Sequence, residues 1–335
     1  MSHRVLKGMA LAVFTTTAPA CIDGQSPAPT GTLVITNKAP ATATIIDVGS
    51  GTVLATLPTG QGPHEIVMSR DGATAIVTDY GAQVPGSTLT VIDVPGMRVA
   101  RTIALGEYRR PHGIVMLPGD SLVAVTVEAS RAVLVVHVGR GEIVRVARTE
   151  QLGSHMVGVA GDGRRAWTGN IGSNTISELD LATGALVRSI AVPAQPEAIN
   201  VTPDGGEVWV GSNATGVVSV VNTSSGTVIP AATGLGWPYR VAYTPDTSLA
   251  LIPDLRGETL RFVDRRTHVE RHRIALPGAA PQGIAITPDG RHAFLSFSAK
   301  GTIAVIDIAT QRVLREIAAG DTPDGVAHAT RVIER

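Results

Sequence analysis

The chain has 335 residues, 44% of them apolar and 17% charged, a balance that excludes a disordered chain. Lys+Arg and Asp+Glu both number 28, so the formal charge is zero, without the basic excess of a nucleic-acid binder. A single cysteine excludes a disulfide framework and any paired-cysteine metal or redox site.

Residues 1–20 read as a secretory signal. Arg4 and Lys7 precede an apolar stretch from Met9 to Ala18, too short to cross a bilayer as a helix, and Ala18-Pro19-Ala20 fits a small-x-small cleavage site. Cys21 follows at once, where a bacterial lipoprotein carries its lipid; Ala20 fits that pattern and Pro19 departs from it. Simple cleavage would instead leave a free thiol there. Residues 21–30 form the anchor and a Pro/Ser spacer. The expected location is outside the cytoplasm, in the periplasm or at the cell surface, with membrane contact only through a lipid on Cys21.

Residues 31–335 repeat one unit. Gly62-Pro63-His64-Glu65-Ile66-Val67 returns as Arg110-Pro111-His112-Gly113-Ile114-Val115, then at Ser154-His155, Pro196-Glu197, Pro238-Tyr239, Pro281-Gln282 and Pro323-Asp324, at steps of 42–48 residues. That period suits four-stranded propeller blades rather than helical repeats of ~34 residues. Each unit runs from an apolar strand through a tight turn such as Thr287-Pro288-Asp289-Gly290 into a second strand, then a third such as Thr302-Ile303-Ala304-Val305-Ile306-Asp307, and a fourth. Three departures stand out. His137 replaces the Asp that ends the third strand, and Pro118-Gly119-Asp120 and Ala160-Gly161-Asp162-Gly163 predict distorted hairpins. Residues 323–335 supply a first strand and stop, whereas residues 33–59 supply strands two to four. The predicted fold is all-β: a seven-bladed propeller closed by both termini within one blade.

The motifs Leu33-Val34-Ile35-Thr36-Asn37, Ile45-Ile46-Asp47-Val48, Val91-Ile92-Asp93 and Thr287-Pro288-Asp289-Gly290 resemble the YVTN-type repeat family, related to seven-bladed lactonase-like propellers. The resemblance covers residues 31–335 and implies a fold more than a function, since members serve as binding domains, scaffolds and enzymes.

The residue after the recurring prolyl position reads His64, His112, His155, Glu197, Tyr239, Gln282 and Asp324. Two residues on, every repeat has Ile or Val. The first series is expected to ring one mouth of the central channel and the second to pack. Second-strand ends, including Asp79 and Glu128, are expected beside the ring. Imidazole with carboxylate suits a divalent metal such as Zn, Fe or Mn at His64, His112 and His155, and also suits proton transfer. Solvated channel lining is the plainer reading. The arginine-rich stretch 256–273 reads as a solvated face or a small patch for an anionic partner. Familiar catalytic signatures are absent. The leading expectation is an envelope binding or scaffold protein that holds a small molecule or partner protein at the mouth. The alternatives are a lactonase-type hydrolase or a lyase at the same mouth, and a structural surface protein.

Overall fold

The computed structural model describes residues 27–333. Seven four-stranded antiparallel sheets form a seven-bladed β-propeller, and the only helical element among the described residues is one 3-10 turn, Glu128–Ser130. Blade 1 joins the two ends: strand Pro323–Ala329 pairs with Thr32–Asn37, followed by Thr42–Asp47 and Thr52–Pro58. Blades 2 to 7 take the remaining strands in order, starting at Pro63, Pro111, Ser154, Pro196, Ala242 and Pro281, with an isolated Pro238–Asp254 bridge ahead of the short strand Ala242–Tyr243. The signal, Cys21 and most of the spacer lie outside the described residues.

In each blade the second and third strands are buried on both faces. Third-strand positions such as Leu89, Val91, Leu134 and Val136 are buried, and outer strands such as Arg98–Ala104 are mostly exposed. The core lies between blades. One cluster joins Ile76, Leu89, Val91 and Ile103 of blade 2 to Val123, Val125, Leu134 and Val136 of blade 3. Another carries Leu33, Ile35 and Ile46 of blade 1 onto Phe294, Ile303 and Val305 of blade 7. Each such side chain contributes about 1.5–3 kcal/mol when fully buried, so stability rests on neighbouring blades staying in contact.

Of the two hairpins expected to be distorted, that at 160–165 is regular, whereas that at 117–122 keeps its closing bonds but departs in backbone, with Gly119 at φ +92° and Asp120 at φ +55° in succession. The hairpins at 117–122 and 160–165 close with the same bonds as their counterparts: Leu117 N to Leu122 O at 2.9 Å and Ala160 N to Arg165 O at 2.9 Å, against Ser69 N to Thr74 O at 2.8 Å. In the first of them Asp120, at φ +55°, takes the left-handed position that Gly72 fills in blade 2; aspartate tolerates that region better than most residues. His137 likewise takes over from the aspartates. Its Nδ1 accepts from Arg140 N at 3.2 Å, as Asp93 Oδ1 accepts from Gly96 N at 3.0 Å.

Candidate functional site

The inner strands all carry one extra residue near their start. Between Pro63 and Ile66 the pairing with Asp79 and Val77 slips by one, and the same slip follows Pro111, Ser154, Pro196, Pro238, Pro281 and Pro323. A bulge re-aims the side chains at its position. Here it coincides with the polar ring.

Three threonines hold the bulges in place. Thr78 Oγ1 accepts from Glu65 N at 3.0 Å and donates to His112 O, in the next blade, at 2.9 Å. Thr126 does the same between Gly113 N and His155 O, and Thr36 between Gly325 N and His64 O. Each of the three ring histidines is thus fixed through its carbonyl by the blade before it.

Their imidazoles meet. His112 lies between His64 and His155, ring centroids 3.9 and 3.7 Å away, with Tyr80 edge-on at 5.3 Å. His112 is fully buried, and neither of its ring nitrogens has a hydrogen-bond partner. Burial first, then His155, His64 and Arg240, holds its proton affinity well below the usual histidine range. Its neighbours each face a carboxylate. His155 Nδ1 lies 2.8 Å from Glu128 Oε2, and Tyr80 Oη donates to the same oxygen at 3.2 Å. His64 Nδ1 lies 2.7 Å from Asp324 Oδ2, close enough for an ion pair but without hydrogen-bond alignment.

The rest of the ring closes around this stack. Asp324 Oδ2 also meets Lys38 Nζ at 2.9 Å, and its Oδ1 accepts from Tyr239 Oη at 3.0 Å. Burial alone would raise the Asp324 carboxyl; Lys38 and His64 outweigh it and hold it far below the carboxylate range. Glu197 accepts from Trp237 Nε1 at 3.0 Å and from Asn213 Nδ2, and its other oxygen lies 3.9 Å from His155 Nε2. Arg240 is 7% exposed, stacks on Tyr239 and pairs with Glu65. That pair lines a cavity of about 210 Å³ together with Asn200 and apolar side chains such as Ile66, Ile114, Val157, Ile199 and Ile284.

Six of the seven ring residues belong to this network. Gln282 does not join it, and its buried Oε1 has no partner. Asp79 is a correction: it faces its own blade and not the histidines. Its carboxylate accepts from Thr88 Oγ1 at 2.7 Å, Thr90 Oγ1 at 3.0 Å and Gly60 N at 3.0 Å. Asp254 and Asn37 make comparable bonds within their own blades, so strand ends of this kind latch the blade rather than line the mouth. Glu128, one residue past its strand, escapes that role. In the 256–273 stretch, Arg261, Arg265, Arg271 and Arg273 hold carboxylates and Arg256 stacks on Trp237, so these five do not form an unpartnered basic patch.

Lys38, Tyr80, Glu65 and Arg240 were not singled out from sequence. For the last two a signal existed. One residue after the ring position the repeats read Gly113, Met156, Ala198, Gly283 and Gly325, but Glu65 and Arg240 in the other two. Opposite charges at an otherwise small or apolar position mark a pair.

Comparison with known proteins supports the fold. The model of the YNCE-like beta-propeller family matches residues 117–244. A search of curated proteins finds no match. Among solved structures, a chain of Kuenenia stuttgartiensis hydrazine synthase superposes with a TM-score of 0.73 at 19% identity, covering 89% of this chain and 99% of that one. A functionally unknown protein from Desulfotomaculum acetoxidans DSM 771 superposes at 0.72 with 13% identity, covering 90% and 100%. At these identities the likeness is one of fold.

Proposed function

We propose that this β-propeller is an exported binding protein of the cell envelope whose ligand seat is the channel mouth bearing His64, His112 and His155. The observation that carries the reading is His112: a fully buried imidazole with both nitrogens unpartnered. Leaving a buried polar atom unpaired costs about 1–3 kcal/mol, and a site that tolerates two of them is poised to receive a partner. Export is inferred from the N-terminal signal pattern, and the lipid anchor from the position of Cys21.

Native mass spectrometry of protein taken from its own cells tests the seat. A bound species in the wild type that His112→Phe loses supports it; identical spectra refute it. Fractionation of wild type and Cys21→Ser tests the address. Release of the variant from membranes supports the anchor, and equal soluble partitioning refutes it.

One observation favours an enzymatic reading as the second choice. Glu128 bonds His155 Nδ1, and Nε2 lies 3.9 Å from Glu197 Oε1, an arrangement in which a carboxylate orients a histidine base. This would suit a lactonase-type hydrolase or a lyase, as the YVTN-like repeats also allow. Lactone turnover lost in both His155→Gln and Glu128→Gln would establish it.

A further inference from the structure

Resting on the channel-mouth reading, we infer that the seat is a metal centre: His64, Glu65 and His112 bind one divalent transition-metal ion, and Arg240 occupies Glu65 when the ion is absent.

The geometry of the donors comes first. One nitrogen from each of His64 and His112 and one Glu65 oxygen lie within 4.8 Å of one another. Two imidazoles and a carboxylate form the donor set of borderline ions such as Zn²⁺, Ni²⁺ and Cu²⁺, and not of the oxygen-seeking Mg²⁺ and Ca²⁺. His112 has both nitrogens buried and unpartnered, so the protein offers it no competing bond. His64 Nδ1 lies 3.7 Å from Glu65 Oε1 and 2.7 Å from the buried Asp324 Oδ2, without hydrogen-bond alignment to the latter, so a further carboxylate stands beside the ion's place. His155 stacks on His112 and has Glu128 on its Nδ1, which makes it a positioning residue. The set therefore differs from the three histidines expected from sequence by Glu65 in place of His155.

Charge supports the same conclusion. The mouth gathers four carboxylates, Glu65, Glu128, Glu197 and Asp324. Against them, imidazoles aside, stand Lys38 and Arg240, with Arg110 farther out on the face of Tyr80. Formal negative charge exceeds positive in a site of low exposure, which an added cation corrects. Arg240 also has a second acceptor in place: its Nη1 is already 4.0 Å from Glu197 Oε1. Handing Glu65 to an ion would not strand the guanidinium.

The test is calorimetric titration of chelator-treated full-length protein with Zn²⁺, and with Ca²⁺ as the control. Wild type is expected to bind one Zn²⁺ and no Ca²⁺. His112→Phe keeps a stacked ring without donors, and should weaken Zn²⁺ at least 100-fold while raising the melting temperature of the metal-free protein. Glu65→Gln should weaken it at least tenfold. Arg240→Gln should tighten it at least tenfold; unchanged affinity in that variant overturns Arg240's part. If Arg240→Gln does not fold, the other two variants decide the metal site alone. No stoichiometric uptake by wild type, or equal uptake by His112→Phe, overturns the centre. A small-molecule adduct that still depends on His112 would then leave the binding seat standing, and loss of both would remove the seat as well.

Discussion

Glu65 and Arg240 are 175 residues apart in sequence and meet across the propeller channel, guanidinium against carboxylate. Both are held with little exposure, and burial opposes the charged form of each; for Glu65 that burial penalty is the largest influence, and Arg240 and His64 together outweigh it and keep the carboxyl below its ordinary value. Removing one partner from a buried pair strands the other, at about 3–5 kcal/mol. Arg240→Met should lose that much in urea denaturation. The double variant Glu65→Met, Arg240→Met should recover most of it. Additive losses would mean that the two side chains do not act as a pair.

The threonines behind the histidines predict a second effect. Thr78→Val keeps the shape but leaves Glu65 N and His112 O without their bonds. A loss of about 1–3 kcal/mol follows from the unpaired groups. Thr102→Val, on an exposed outer-strand position, should stay within about 0.5 kcal/mol. Equal losses in both variants would show that the Thr78 bonds carry no special weight.

These relationships mark where sequence reading stops. Blade number, strand order and the shared terminal blade were legible because a period near 42 residues, with the same turns and apolar strands in each unit, repeats through the chain. The ring was legible for the same reason: equivalent offsets in equivalent blades must share one end of the channel. What escaped was the effect of the bulge. It turns two consecutive residues toward functional space, so Glu65 joins His64, although simple alternation would send them to opposite faces. Asp79 was misplaced because strand-end position alone does not distinguish a carboxylate that bonds its own blade from one that faces the channel. Lys38 lies on the loop between two strands of blade 1, and only ring closure carries it to Asp324.

Away from the histidine mouth, His292 and His328 set a pH dependence. Burial lowers the proton affinity of both below the ordinary histidine value. The unfolded chain therefore takes up protons near pH 6.5 that the folded protein refuses, and stability must fall as pH drops through that range. The slope is at most about 1.4 kcal/mol per pH unit for each histidine. Urea denaturation between pH 7.5 and 5.5 should show the decline, and His292→Gln with His328→Gln should reduce it, leaving the part that His112 contributes by the same burial. A slope unchanged in the double variant would place its origin elsewhere.

Ring closure gives the last prediction. Pro323–Ala329 is the inner strand of blade 1, and it pairs with Thr32–Asn37 rather than with its own sequence neighbours. Deleting residues 323–335 removes that strand, exposes the edge of Thr32–Asn37 and takes Val326 from the cluster that joins blades 7 and 1. That freed inner edge is a template for another chain. The truncated protein should lose its cooperative melt and aggregate. A rearranged chain separates closure from mere loss of sequence. Thr32 is paired with Ala329, so residues 323–330 fused directly ahead of Gly31 would connect the two strands through Thr330-Gly31 as a two-residue hairpin. That protein has the same blade in a different covalent order and should melt cooperatively, as wild type does. If the truncation melts like wild type, closure by the C-terminal strand is not what holds the ring together. If the fusion fails while wild type folds, the termini contribute something beyond strand pairing.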